Sequence, residues 1–399
     1  MRTRKQITLV AAVLLIVSVA YIQSRNPARA EEARSEVSVQ GQGFITVDGP
    51  DLKSKIDAAI KQGRARSPQT PFWTAYSFDV RPGVAVDAEW RNFKGSTTSY
   101  SEGTNISIGT SGGVTVETRN LGIFMLHEGG TSSMTRVEVY NLDRRREYSG
   151  YPVYWLGRGG NEESLNLLRI LAESNAARKV TEHATVAIAL HDDPRVGEIL
   201  KNFVRNSQVE KVRSTAVFWL GQIGGEQTFL ADLVRNEGEN TEVRKQAAFA
   251  IGVSKDQTAL ASLQSLYGGV TNREVKKQII FAASINENKD AGVDFLIKVA
   301  GSDADREARK QALFWLGQKA GERSLGALSD TINNSDADTE VQKHAVFAIS
   351  QRARDESIPL LIKTARTHAK PEVRKQAMFW LGQTGDDRAL EFFKEILTK

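Results

Sequence analysis

Six segments of this chain repeat one another: VRSTAVFWLGQ from Val212, VRKQAAFAIG from Val243, VKKQIIFAAS from Val275, ARKQALFWLGQ from Ala308, VQKHAVFAISQ from Val341 and VRKQAMFWLGQ from Val373. Their first residues lie 31, 32, 33, 33 and 32 positions apart. A fixed period in this range predicts stacked units, each too small to bury its apolar face alone. With the first residue of each segment set at slot 0, the spacing continues upstream to Val180 and Tyr148. Eight units are therefore expected over residues 148–399. Each should hold a first helix over slots 0 to 9, a turn, and a second helix such as EQTFLADLVRN or DDRALEFFKEIL. Gly221, Gly317 and Gly382 are placed to close first helices. Glu242, Glu274, Glu307, Glu340 and Glu372 precede slot 0, where a carboxylate suits the positive end of the helix dipole.

At 100° per residue, slots 0, 4, 7 and 8 share one face, which predicts the core between paired helices. Slot 4 is Ala in six of the eight units, so backbones should approach closely there. Paired short helices on this period, with V-R-x-x-A followed by L-G, resemble HEAT repeats, in particular the short subtype first described in phycobilisome lyases. The resemblance covers residues 148–399. It implies a mainly α protein, a right-handed α-solenoid of about eight helix pairs. The first unit departs from the pattern, with Tyr148 to Tyr151 at its start and Pro152 at slot 4. Proline breaks the preceding turn, which suggests a truncated capping repeat.

Slot 7 reads Trp155, Ala187, Trp219, Ala250, Ala282, Trp315, Ala348 and Trp380, four of the six tryptophans of the chain. Large-against-small packing in the core accounts for this alternation. Slot 6 lies opposite the core centre, where a polar residue is usual, yet it holds Tyr154, Val186, Phe218, Phe249, Phe281, Phe314, Phe347 and Phe379. Beside it run Lys245, Lys277, Lys310, Lys343 and Lys375 at slot 2, and Gln or His at slot 3. An aromatic row flanked by Lys and Gln on the inner, concave helices suits an extended peptide or a partner helix. The candidate partner-binding residues are the seven aromatic members of this row with Lys245, Lys277, Lys310 and Lys375. A second reading stays open, in which curvature buries the rings between neighbouring helices.

Upstream, Arg2, Arg4 and Lys5 precede an apolar run from Ile7 to Ile22, and Ala28-Arg29-Ala30 precede Glu31. This is the shape of a signal peptide over residues 1–30, with cleavage after Ala30. The alternative is an uncleaved membrane anchor, for which 16 apolar residues are slightly short. Export to the periplasm or outside the cell is expected, or attachment to the membrane through this segment alone. The chain carries 53 basic and 48 acidic residues, and five of the basic ones lie in the leader, so the remainder is neutral. Nucleic acid is not an expected partner. The absence of cysteine excludes disulfides, thiolate metal sites and a thiol nucleophile.

Residues 31–147 alternate differently. FITV from Phe44, SFDV from Ser77, NISI from Asn105, GVTVE from Gly113 and TRVEVYNL from Thr135 predict short strands, and Asp51 to Lys61 predicts one helix. A small β-rich domain follows, with Trp73 and Trp90 expected in its core. No nucleophile elbow or phosphate loop appears. His127, His183, His191, His344 and His368 are too few, and wrongly spaced, for the repeated His-Glu pairs of the HEAT-like deoxyhypusine hydroxylases. His183, His191, Asp192 and Asp193 read as a polar helix end rather than as metal ligands. The sequence thus points to an exported, non-catalytic scaffold for a protein or peptide, with no cofactor. The rival expectation is a HEAT-like lyase or oxidoreductase accessory that binds a metal or a tetrapyrrole.

Overall fold

A computed structural model describes residues 43–86, 97–101, 104–108, 118–131, 133–335 and 337–398. The leader, Trp90 and the strand predicted from Gly113 lie outside the described residues. The chain divides into two compact units, one ending at Trp219 and one beginning at Leu220.

The first unit is built on a mixed sheet. Its strands are β1 (Ile45–Thr46), β2 (Phe72–Ser77), β6 (Leu121–His127), β7 (Met134–Asn141) and β8 (Val153–Arg158), in the order β1-β8-β2-β6-β7. A separate three-stranded sheet holds β3 (Val84–Val86), β4 (Thr97–Ser101) and β5 (Thr104–Ile108). Helix α1 (Leu52–Arg66) connects β1 to β2, and Asp51 caps it by accepting from the Ser54 amide at 2.7 Å. The run from Ser77 was expected to start a strand; the strand instead ends there, because FWTAYS is buried on both faces.

Residues 148–158 correct the reading of the first repeat. Val153–Arg158 is a strand in the middle of the sheet, parallel to both β1 and β2, and not a helix. Tyr148, Ser149 and Gly150 have φ of 47, 60 and 73° in a single 3-10 turn, and Pro152 follows, so no α-helix can start here. Val153 to Leu156 are buried on both faces, which favours aromatic and β-branched residues in a central strand. Trp155 therefore packs with Trp73, Phe124, Tyr140 and Tyr148 in the sheet core, as expected of Trp73 but not of Trp155. The Trp73 indole donates to the Tyr148 carbonyl at 3.0 Å. The unit keeps only its second helix, α2 (Asn161–Ala172).

Seven helix pairs follow among the described residues, so the expectation of about eight is reduced by one. They are α3 (Arg178–Ala189) with α4 (Val196–Asn206), α5 (Glu210–Ile223) with α6 (Gln227–Arg235), and α7 (Thr241–Val253) with α8 (Ala259–Gly269). Next come α9 (Arg273–Ile285) with α10 (Lys289–Ser302), α11 (Arg306–Gly317) with α12 (Glu322–Asn333), α13 (Thr339–Ser350) with α14 (Arg354–Thr367), and α15 (Pro371–Thr384) with α16 (Asp387–Leu397). None of the described helices is long and apolar enough to cross a membrane. Slots 0, 4 and 8 are buried in every pair, as the helical period requires. Slot −3 supplies the caps: Asn240, Asn272, Asp305 and Asp338 each accept from the amide of the glutamate two residues on. Slot 1 ties the pair to its predecessor. Arg213, Arg244 and Arg309 donate Nε to the carbonyls of Val204, Val234 and Ala300, near the C-terminal ends of the preceding second helices. Gln342 does the same to Ile332 and Asn334.

The first helix of the first pair joins the sheet. α3 packs on β7, the edge strand, and His183 donates Nδ1–H to the Val137 carbonyl at 2.7 Å. This covers one free carbonyl of the edge. His191 closes a second internal chain. Its Nδ1–H donates to Ala187, so Nε2 accepts from Ser164 at 2.8 Å, and Ser164 accepts from Tyr76 at 2.9 Å. Burial lowers the His191 pKa to about 4, opposed chiefly by the Ala187 hydrogen bond. Ser164 and His191 are sealed from solvent, so their hydroxyl–imidazole pair holds packing together.

Candidate functional site: an aromatic row on the first helices

Slot 6 is occupied as the sequence predicts from α5 onward, and the rings are neither fully buried nor free. Phe218, Phe249, Phe281, Phe314 and Phe347 are half-buried; Phe379 on α15 is 55% exposed. Tyr154 does not belong to the row, because it sits in β8 and is 1% exposed. Val186, at the same slot of α3, is buried.

Within the second unit the rings touch in series across α7, α9, α11, α13 and α15, whose helices pack side by side. Phe249 and Phe281 stack at 6.0 Å and 9°, and Phe281 meets Trp315 at 4.9 Å. Trp315 contacts Phe314 edge-on at 5.0 Å, and Phe314 stacks on Phe347 at 6.4 Å and 15°. Phe347 meets Trp380 at 5.1 Å, and Trp380 meets Phe379 at 5.0 Å. Each such pair adds about 0.5–1.5 kcal/mol beyond its buried area. Trp315 and Trp380 were expected in the core. They are half-buried members of this row instead, while Trp219 is buried as expected.

A second slot explains which contact forms at each interval. Slot 9 is Gly wherever the next helix carries Ala at slot 7. A Cβ on Gly221, Gly252 or Gly317 would lie 2.5, 2.7 or 2.6 Å from backbone oxygen of Ala250, Ala282 or Ala348. Slot 9 is Ser (Ser284, Ser350) ahead of the slot-7 tryptophans Trp315 and Trp380, and Ala189 ahead of Trp219. Gly–Ala intervals bring the helix backbones close, and in two of them, α7–α9 and α11–α13, Phe stacks on Phe. Ser–Trp intervals insert an indole between the phenylalanines. The sequence carried this coupling in slots 7 and 9, but only the contacts reveal it.

Most of the flanking lysines are held in ion pairs. Lys245, Lys277, Lys310 and Lys343 each bind the slot −1 glutamate one turn earlier, Glu242, Glu274, Glu307 and Glu340, at 2.9–3.1 Å. Glutamate placed N-terminal to lysine is the favourable order, worth a few tenths of a kcal/mol per pair. The row is thus edged by neutral pairs. Lys375 is the exception and makes no ion pair among the described residues. His344 packs on Phe347 at 5.4 Å, and burial followed by the nearby Lys310 charge lowers its pKa. Among the described residues no group of three or more His, Asp or Glu is placed to hold a metal ion. The surface can stack and cover apolar or planar groups, and it offers weak net charge.

Comparison with protein families matches HEAT repeats at residues 228–317 and 327–399. No curated protein matches the sequence. Among solved structures, human deoxyhypusine hydroxylase in complex with glycerol is 15% identical, over 59% of this chain and 90% of that one, with a TM-score of 0.28. The Escherichia coli protein YibA is 18% identical over 56% and 82%, with a TM-score of 0.30. The CpcE–CpcF complex of phycocyanin lyase from Nostoc sp. PCC7120 is 16% identical over 58% and 92%, with a TM-score of 0.29. At such identities and scores no activity or ligand transfers to this chain.

Proposed function

We propose, on the premise that residues 228–399 carry HEAT repeats, that this chain is a non-catalytic scaffold. Its row of first helices is the concave surface of a right-handed solenoid and holds a protein or peptide partner. It works outside the cytoplasm, delivered by the segment ahead of Glu31. The observation that carries this reading is the continuous, half-buried aromatic series from Phe249 to Phe379, laid where solvent-facing polar residues are usual. A half-buried ring is held in place by its neighbours and still presents an edge, so little side-chain entropy is lost when a partner docks. Because the bordering Glu–Lys pairs cancel, the partner is selected by apolar and aromatic contacts more than by charge.

The test uses the full chain as bait on the envelope fraction of its source cells. Phe379→Ser alters an exposed ring and leaves folding intact, and Phe281→Leu removes one stacking face while keeping apolar volume. Loss of a specific partner in both variants supports the reading. Recovery equal to wild type in both, with unchanged circular dichroism, refutes it.

A further inference from the structure

The residue that left the aromatic row lines a different feature. A cavity of about 450 Å³ opens at the end of the first unit's sheet where the parallel strands β1, β8 and β2 all begin, at Ile45, Val153 and Phe72. That volume lies within the usual range for small-molecule sites. These three residues supply apolar walls. Tyr154 lines the same cavity, is 1% exposed, and its phenol makes no hydrogen bond among the described residues. The buried phenols of Tyr76 and Tyr267, by contrast, are bonded to Ser164 and Asp303. The Tyr154 hydroxyl is thus left open to the cavity, where a ligand acceptor can bond it.

Arg66, the last residue of α1, lines the cavity beside Tyr154 and makes no ion pair among the described residues. Its charge is felt at the Tyr154 phenol, where it opposes the upward shift that burial imposes. Ser67 and Thr70 complete the polar side, but their hydroxyls are 2.6 Å apart and engage each other. The cavity therefore offers one guanidinium, one phenol hydroxyl open to a ligand, and an apolar wall. The C-terminal end of α1 adds partial negative charge, which opposes any anion and a dianion more than a monoanion, so Arg66 must outweigh it.

We propose that this cavity binds a small monocarboxylic acid with an apolar body, its carboxylate held between the Arg66 guanidinium and the Tyr154 hydroxyl. The site is separate from the aromatic row and does not depend on it.

Isothermal titration of the full chain with hexanoate, benzoate and inorganic phosphate tests this. Wild type should bind at least one carboxylate saturably and more tightly than phosphate. Tyr154→Phe keeps the ring and removes only the hydroxyl, so affinity should fall roughly 5–20-fold. Arg66→Gln changes an exposed side chain and should cost roughly 10–100-fold, which carries the test even if the tyrosine variant folds poorly. Absence of saturable carboxylate binding, tighter binding of phosphate, or unchanged affinity in Arg66→Gln would overturn the assignment.

Discussion

Replacing glycine by alanine at slot 9 should have opposite effects at two positions that the repeat makes equivalent. Gly252 in α7 faces the next first helix, and a Cβ there would meet the Ala282 Cβ and carbonyl oxygen at 2.7 Å and its Cα at 2.8 Å. Gly382 in α15 occupies the same slot, yet a Cβ there would have no atom within 4 Å. Neither glycine has positive φ, so alanine fits both backbones. The helix-propensity gain is common to the two sites, about 0.5–1 kcal/mol. At Gly252 the overpacking term, about 1–3 kcal/mol, is added with the opposite sign, because two of the three atoms met are backbone. Gly382→Ala should therefore stabilise the second unit by about 0.5–1 kcal/mol. Gly252→Ala should destabilise it by up to about 2 kcal/mol. For a unit of this size each kcal/mol moves the melting midpoint by about 2–4 °C. Thermal and urea unfolding followed by far-ultraviolet circular dichroism would read both changes. Adding Ala282→Gly to Gly252→Ala should give partial rescue, since only the Cβ contact is relieved. If both single variants shift stability in the same direction by the same amount, the close-approach account of the Gly–Ala intervals is wrong.

Three further outcomes are expected. His191 is neutral in the fold because burial depresses its pKa from about 6.5 to about 4; the unfolded chain binds more protons between those values. Its contribution, about 3 kcal/mol, is fully present above pH 6.5 and is lost as pH falls toward 4, and His191→Asn should remove that slope from the first unit's unfolding profile. Trp73→Phe abolishes the buried hydrogen bond to the Tyr148 carbonyl and should cost about 2–4 kcal/mol in denaturant unfolding. Trp380→Phe should cost about 1 kcal/mol or less, since the buried Trp380 indole N–H has no acceptor; an equal loss at both sites would contradict this. Lys310→Met should change stability by less than about 0.5 kcal/mol, because its pair with Glu307 is a surface pair, and a loss above about 1 kcal/mol on thermal unfolding would show that the row's border is structural.

The tetrapeptides YWLG at Tyr154–Gly157 and FWLG at Phe218, Phe314 and Phe379 mark the border between what the sequence and the tertiary structure decide. The period, the buried slots 0, 4 and 8, and the capping residues at slot −3 are local or strictly repetitive, and helical geometry turns them into successive helices with set faces without further information. The HEAT-repeat match over residues 228–317 and 327–399 was legible for the same reason. The strand at 153–158 was not, although its residues match the helical pattern in spacing and type. Pro152 and the positive φ of Tyr148 to Gly150 block an α-helix start, and the open place between β1 and β2, which lie far earlier in the sequence, takes up the segment as a strand. Whether the slot-6 rings are covered was equally beyond the helical wheel. A ring's exposure depends on the helix that follows, and that helix's approach is fixed by Gly–Ala or Ser–Trp across the interval. Sequence alone set each helix's faces. Only packing between helices decided which of those faces remain open to a partner.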